Sequence, residues 1–288
     1  MATAHVPRSG SLERQRRFRR VGMGVLYTLF AIVALIFTLP FFLMLSNAFK
    51  TSAEILRIPP TLIPRDPSLN AFRTVIEDAP YFRWFGNSLF VSLTVTLMVL
   101  LTCSLAGYIF AKFSFPGRDA IFVVLLMTMM VPFPVLLIPS YLVVNELGLI
   151  NSLWALIVPS MVSAFGIFLM RQFIAGIPND LIEAARLDGA SEWAIYARIV
   201  VPLVRPPMAA LGIFTFLAAW NDYLWPLIVI NDIERSTLPL ALTFFNSQHA
   251  QRYDLVMAAA AMAVIPVIIV FVIFQRQIVN ALVLAGMK

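Results

Sequence analysis

Cysteine and histidine are nearly missing from this 288-residue chain, which has one cysteine, Cys103, and two histidines, His5 and His249. A single cysteine forms no internal disulfide and builds no cysteine metal site. The histidines lie far apart in the sequence, so they make no metal-binding pair at helical spacing. The phosphate loop G-x-x-x-x-G-K-[ST] is also absent. We therefore predict no catalytic residue, no cofactor, no metal site and no ATP hydrolysis by this chain alone.

Charge is scarce as well. Only 12% of the residues are Asp, Glu, Lys or Arg, whereas roughly a quarter are charged in soluble domains. Hydrophobic residues make up 60% of the chain, and the mean hydropathy is +0.88. This composition excludes an ordinary soluble domain and predicts an integral membrane protein.

Apolar runs long enough to cross a bilayer recur along the chain, since roughly 20 apolar residues suffice for a helix. The first is too long for a signal-peptide core of roughly 7 to 15 residues, so we predict an uncleaved span. The sequence thus predicts an all-α membrane protein with six transmembrane helices. The predicted spans are residues 22–46, 86–111, 119–144, 152–174, 207–230 and 256–279.

Basic residues predict the orientation of these spans. An even number of spans places both termini on one side, and that side receives 14 of the 21 Lys and Arg residues. Cytoplasmic loops carry such an excess, so we predict that both termini and residues 177–202 are cytoplasmic. Residues 1–21 hold six arginines against one acid, Glu13. Because they abut an apolar run, we interpret them as a cytoplasmic tail before a membrane domain of residues 22–288, and predict no nucleic-acid partner.

The segment 177–202, IPNDLIEAARLDGASEWAIYARIVVP, is the main polar interruption in the later part of the chain. Asp180 followed by Glu183 has the spacing of a capping box at a helix start. Gly189 suits the left-handed residue after a helix, and Ser191 suits the cap of the next one. Pro202 predicts the end or a kink of the second helix. We expect a helical hairpin that serves another protein, and we call residues 177–202 the hairpin.

The hairpin carries a recognisable spacing. Glu183-Ala184-Ala185 is followed after three residues by Gly189, and after nine more by Ile199-Val200-Val201-Pro202. This resembles the EAA loop of ABC-importer permeases, with Val201 where that pattern favours Leu. The resemblance implies contact with a separate ATPase subunit. The residues it assigns to docking are Glu183, Ala184, Ala185, Asp188, Gly189, Ile199 and Pro202; capping by Asp180 remains the alternative role for Glu183.

A second resemblance concerns the substrate. The stretch WNDYLWPL, starting at Trp220, and the later TLPL, starting at Thr237, resemble the carbohydrate-uptake branch of these permeases, whose solutes include maltose, oligosaccharides and glycerol phosphate. Trp220, Asn221, Asp222 and Trp225 are candidates for the solute path. A carboxylate at membrane depth usually faces protein or water. Trp and Tyr also mark the membrane interface, which is an equally weighted explanation.

The resemblance implies a type I ABC importer permease fold in the bacterial inner (plasma) membrane. It implies a second permease subunit, two ATPase subunits, an extracytoplasmic solute-binding protein, a sugar substrate and the lipid bilayer as partners. An importer for glycerol phosphate, an amino acid or a polyamine is the alternative. A secondary transporter is less favoured, because ion coupling generally leaves ionisable groups deep in the spans, where this sequence has few.

Overall fold

A computed structural model describes residues 9–248 and 252–286. All regular structure in these residues is helical. The helices are α1 (Ser9–Ala48), α2 (Ser52–Ile55), α3 (Asn70–Asp78), α4 (Tyr81–Lys112), α5 (Arg118–Thr128), α6 (Phe133–Glu146), α7 (Trp154–Ile157), α8 (Ala164–Ala175), α9 (Asn179–Leu187), α10 (Glu192–Ile195), α11 (Val201–Leu203), α12 (Arg205–Trp220), α13 (Leu224–Val229), α14 (Leu238–Gln248) and α15 (Tyr253–Gly286). Short 3₁₀ turns occupy Val158–Ser160 and Ile233–Arg235, and a π turn occupies Tyr196–Val200.

Three helical segments are long and apolar enough to cross a membrane unbroken: Gly22–Ala48, Tyr81–Lys112 and Tyr253–Ile273. They coincide with the first, second and sixth predicted spans. Three further segments are bent helix pairs, so the described residues hold three to six candidate spans, depending on whether each pair counts as one. The all-helical membrane fold predicted from the sequence is confirmed.

The bends lie where the sequence removes backbone donors. Helices α5 and α6 meet at 104° next to Pro132, and the segment containing Pro159 meets α8 at 42°. Proline has no N–H, so a helix commonly ends or kinks there. The predicted span 207–230 is not one helix, because α12 ends at Trp220 and α13 begins at Leu224.

Helix α4 is the central element and packs along α8 and α12. Its buried residues recur every three or four positions, as in Val91, Val95 and Val99, and so form one face. Gly107 permits a close approach to α8. A Cβ there would lie 2.7 Å from the Met170 Cβ. Small residues at such interfaces let membrane helices pack backbone to backbone.

Side chains of α4 also satisfy the backbone at the break before α8. The Thr102 hydroxyl donates to the Met161 carbonyl at 2.8 Å, and the Cys103 thiol donates to the Ser163 carbonyl at 3.4 Å. An interrupted helix leaves carbonyls without partners in the membrane, so a neighbouring helix must supply them. Cys103 is fully buried, as is usual for a free cysteine, which packs as a small apolar residue.

The N-terminal segment and the segment between α1 and α4 both contain helical structure. Helix α1 begins at Ser9, so part of the predicted basic tail 1–21 is helical, while residues 1–8 lie outside the described residues. The segment 49–80 contains the short helices α2 and α3. Lys50 is buried there, and its ammonium donates to the Asn47 Oδ1 at 2.9 Å. The segment is therefore an ordered cap over the same end of the bundle as the N-terminus of α4.

Candidate functional site

The hairpin consists of α9 and α10 joined by a tight turn at Gly189. The φ of Gly189 is +80°, in the left-handed region. The amide of Gly189 donates to the Arg186 carbonyl, and the amide of Ala190 donates to the Ala185 carbonyl, each at 3.0 Å. This pair of hydrogen bonds is a Schellman motif. The Ser191 hydroxyl then accepts from the Ala194 amide at 3.3 Å and caps α10. The predicted turn and the predicted Ser191 cap are confirmed.

The predicted capping box at the start of α9 is wrong. Pro178 occupies the N-cap position and no side chain caps the helix. Asp180 lies one residue inside the first turn, so its backbone is already helical and the residue does not cap. Its carboxylate still lies near the positive end of the helix dipole. The alternative capping role for Glu183 is therefore wrong. Its docking role stays a prediction.

The hairpin buries one face and exposes the other. Ile182, Ile195 and Val200 are buried against the bundle. Four of the predicted docking residues are exposed: Glu183, Ala184, Asp188 and Gly189. The other three are half-buried: Ala185, Ile199 and Pro202. Leu187 is 89% exposed on the same outward face. The exposed face of the hairpin thus carries one apolar side chain and two carboxylates.

The exit from the hairpin is a sharp bend. The backbone makes a π turn in which the Val201 amide donates to the Tyr196 carbonyl. Pro202 follows and contributes no donor, and α11 ends one residue later. The segment Glu192–Leu203 meets α12 at 80°. The predicted interruption at Pro202 is thus confirmed, with the bend itself at Val204.

Polar residues on α4 were missed by the sequence analysis. The Lys112 ammonium donates to the Asn179 Oδ1 at 2.7 Å and to the Ile177 carbonyl. Tyr108 and Ser104 contact the second half of the hairpin. The signal in the sequence was the spacing of polar residues at positions four apart near the end of an apolar span, because residues at that spacing share one helix face.

The four candidates for the solute path do not form one pocket. Trp220 is buried at one end of the bundle, where it stacks on Phe216 at 5.8 Å between ring centroids. Trp225 is buried in the other core cluster, and its indole N–H donates to the Ala155 carbonyl at 2.9 Å. Asn221 is exposed, and its amide donates to the Leu217 carbonyl. The tryptophans therefore fix the break between α12 and α13, while Asn221 alone is open to the surroundings.

Asp222 is half-buried at this break. Its Oδ1 accepts from the Trp225 amide at 3.4 Å at the start of α13. Asp222 also lines a cavity of about 20 Å³ together with Ser160 and Thr237. The Thr237 hydroxyl is buried without a hydrogen-bond partner among the described residues. Such a volume accommodates about one water molecule, so this cavity is far too small for a sugar.

The chain is similar to known transport proteins. Residues 103–283 match the family described as binding-protein-dependent transport system inner membrane component. The arabinooligosaccharides transport system permease protein AraQ of Bacillus subtilis (strain 168) is 37% identical over 263 residues, which cover 90% of this chain and 93% of AraQ. The lactose transport system permease protein LacG of Rhizobium radiobacter is 35% identical over 266 residues, which cover 92% of this chain and 96% of LacG.

A solved structure shares the fold. A chain of a bacterial ABC transporter involved in the import of the acidic polysaccharide alginate superposes with a TM-score of 0.80 at 24% identity, covering 95% of this chain and 99% of that one. The predicted resemblance to ABC-importer permeases of the carbohydrate-uptake type is confirmed. The chain belongs to the family of inner-membrane components of binding-protein-dependent transport systems.

Proposed function

We propose that this chain is one of two membrane-spanning subunits of an ATP-driven importer for a sugar or oligosaccharide. The relatives named for arabinooligosaccharides and lactose cover nine tenths or more of the chain, which supports this substrate class. In this proposal the chain crosses the bacterial inner membrane six times. The bent pair of α5 and α6, the bent pair of Trp154–Ser160 and α8, and the broken segment of α12 and α13 then each form one span, and both termini are cytoplasmic. Residues 1–21 are the basic tail, and residues 22–288 form the permease domain.

The observation that carries the proposal is the two-faced hairpin. Its exposed face presents Glu183, Asp188 and Leu187 around the Gly189 turn, while its apolar face is fixed to the bundle. We assign the exposed face to docking on an ATPase subunit. Ala184 lets the partner approach closely because it has no side chain beyond Cβ. Ala185, Ile199 and Pro202 hold the hairpin against the bundle, so they affect docking through position.

The remaining partners follow from this assignment. The chain lacks a phosphate loop, so ATP hydrolysis requires separate subunits, one for each of the two permeases. A second permease completes the translocation path, and an extracytoplasmic binding protein delivers the sugar. Closure of the ATPases on ATP moves the hairpin and switches the access of the path from one side of the membrane to the other. The permease itself performs no bond chemistry.

Within this chain, we assign the solute path to the break between α12 and α13. Asn221 is exposed there. Its side-chain amide both donates and accepts hydrogen bonds, which suits the hydroxyl groups of a sugar. Asp222 fixes the start of α13 and thereby the orientation of Asn221. Trp220 and Trp225 anchor the two helix ends in the core and contribute to the path by positioning.

The test is transport by the complete importer. We expect the chain to copurify with an ATPase subunit and a second permease, and proteoliposomes holding the complex with its binding protein to accumulate sugar when ATP is supplied. The labelled probes are lactose, an arabino-oligosaccharide and an alginate oligosaccharide, with glycerol 3-phosphate testing the alternative solute class. Uptake that persists without any ATPase subunit, or without ATP, would overturn the proposal.

A matched pair of glycine variants tests the docking role. Gly189 and Gly148 both have a positive φ, of +80° and +68°, and neither has another residue within 4 Å of a built Cβ. A β-branched residue is strained in that region, so Gly189→Val and Gly148→Val each distort one exposed turn. We expect sugar-stimulated ATP hydrolysis to be lost in Gly189→Val and kept in Gly148→Val. Equal activity in both variants contradicts the docking role.

A further inference from the structure

Three polar side chains on one face of α4 bind the hairpin. Ser104, Tyr108 and Lys112 are spaced by four residues, so they lie above one another along the helix. The Ser104 and Tyr196 hydroxyls are 2.6 Å apart, and the Tyr108 hydroxyl donates to the Glu192 Oε2 at 2.7 Å. The Lys112 ammonium donates to Asn179 at the start of the hairpin. One helix face therefore contacts the beginning and the second half of the hairpin.

Glu192 links these contacts into a single unit. Its Oε1 accepts from the Arg186 guanidinium at 2.7 Å while its Oε2 accepts from Tyr108. The hydrogen bond that Arg186 donates to Glu192 raises the pKa of Arg186. The Arg186 guanidinium also lies 5.6 Å from the centroid of the Phe113 ring, which directly follows α4. One carboxylate thus connects α9, α10 and α4. Hydrogen bonds to an ionised group are stronger than those between neutral groups.

The covalent connections of the hairpin to α8 and to α12 are both bent. It is entered through the turn Gly176–Pro178 after α8, and it leaves through the 80° bend before α12. A bent connection transmits a push less directly than a straight packed helix. Helix α4 is one unbroken element of 32 residues, which corresponds to a length of roughly 48 Å at 1.5 Å per residue.

The N-terminal end of α4 is also held by hydrogen bonds. The Trp84 indole N–H donates to the Ile233 carbonyl at 2.7 Å. The Asn87 amide donates to the Glu234 and Ser236 carbonyls, each at 2.9 Å. These three acceptors belong to the connection between α13 and α14, close to the proposed solute path. Helix α4 therefore joins the hairpin at one end to the segment after the α12–α13 break at the other.

We propose that Ser104, Tyr108, Lys112 and Glu192 are positioning residues that transmit movement of the hairpin to α4 and, through α4, to the solute path. This inference rests on the proposed importer function. The four residues differ from the docking face in their location. Ser104, Tyr108 and Lys112 lie on α4 and contact the bundle side of the hairpin, and Glu192 is the hairpin residue that binds Tyr108. They set how much transport each ATP molecule drives, and they do not set whether the ATPase binds.

The test is the coupling ratio, meaning sugar transported per ATP hydrolysed, in proteoliposomes with the complete importer. Tyr108→Phe removes one hydroxyl and keeps the ring, and Glu192→Gln removes the charge and keeps the shape. We expect both variants to copurify with the ATPase and to hydrolyse ATP, while the ratio falls roughly threefold or more because a charge-assisted hydrogen bond is weakened or lost. Tyr27→Phe is the control, since Tyr27 is exposed on α1.

A double variant separates transmission from general damage. If Tyr108 and Glu192 act as one unit, Tyr108→Phe combined with Glu192→Gln lowers the ratio no further than the more severe single change. An unchanged ratio in both single variants, or fully additive losses, overturns the inference. A wild-type complex that fails to transport any of the sugars refutes the proposed function instead, so the two failures are distinguishable. Should Tyr108→Phe lower the yield of complex, the coupling ratio of Glu192→Gln alone tests the inference, and an unchanged ratio overturns it.

Discussion

Replacing Gly107 with alanine is expected to loosen the contact between α4 and α8. The added Cβ would lie 2.7 Å from the Met170 Cβ and 2.9 Å from the Arg171 amide nitrogen, whereas carbon atoms in contact prefer about 3.5 to 4.0 Å. Both neighbours are attached to the backbone, so the helices themselves must separate. Overpacking of this kind costs about 1 to 3 kcal/mol, and the better helix propensity of alanine offsets about 0.5 to 1 kcal/mol.

The net expectation is a loss of up to about 2.5 kcal/mol in the free energy of unfolding. Gly86→Ala is the matched control, because Gly86 belongs to the same helix and a Cβ there meets no atom within 4 Å. The assay is thermal unfolding of the purified chain in detergent with a thiol-reactive dye. Cys103 is the only cysteine and is fully buried one turn from Gly107, so it reports on opening of this interface.

The melting midpoint of Gly107→Ala should fall below that of the wild type, while that of Gly86→Ala should be unchanged or slightly higher. The difference between the two variants isolates the steric contact from the change in helix propensity. A Gly107→Ala chain that melts as high as Gly86→Ala would refute the close approach of α4 and α8.

Two further variants test other parts of the structure. Trp225→Phe leaves the buried Ala155 carbonyl without its donor, so it should destabilise the chain by about 1 to 3 kcal/mol, whereas Trp193→Phe, at a 64% exposed site, should change little in the same melting assay. Glu54 accepts a hydrogen bond from the Arg65 amide at 2.9 Å, and this bond lowers the pKa of Glu54. The contribution of the bond to stability is therefore present above the ordinary glutamate pKa and is lost as the pH falls through the lowered pKa. Hydrogen exchange at the Arg65 amide should therefore lose protection at acidic pH relative to Glu54→Gln, and an identical pH dependence in both proteins would contradict this.

Local sequence signals predicted the hairpin turn well. Gly189 and Ser191 act within four residues of their own positions, so their identities were sufficient to indicate a left-handed turn and a helix cap. The helix breaks beside Pro132 and Pro159 are similarly local, because proline acts on its own turn. The predicted Asp180 cap failed for a local reason too, since Pro178 takes the cap position first.

Long-range contacts were not predictable from the sequence. The bond between Ser104 and Tyr196 joins residues 92 positions apart, and that between Trp225 and Ala155 joins residues 70 positions apart. A polar residue in an apolar span indicates that a partner exists, but periodicity does not say which helix supplies it. The resemblance made Trp225 a candidate for the solute path, and that role stays a prediction. The structure adds the contact of its buried indole with the Ala155 carbonyl, which the sequence did not indicate.

The most direct measurement of the central claim is a photo-cross-link from the tip of the hairpin in the complete importer. A benzophenone attached to Leu187→Cys, in a Cys103→Ser background, places the probe at the 89% exposed site beside Gly189. The same probe on Leu147→Cys, at a 58% exposed site in the turn after α6, is the control, because the proposed topology places this turn on the other side of the membrane. We expect an ATPase adduct from Leu187→Cys and none from Leu147→Cys, whereas an ATPase adduct from Leu147→Cys alone, or from neither position, would contradict docking through the hairpin.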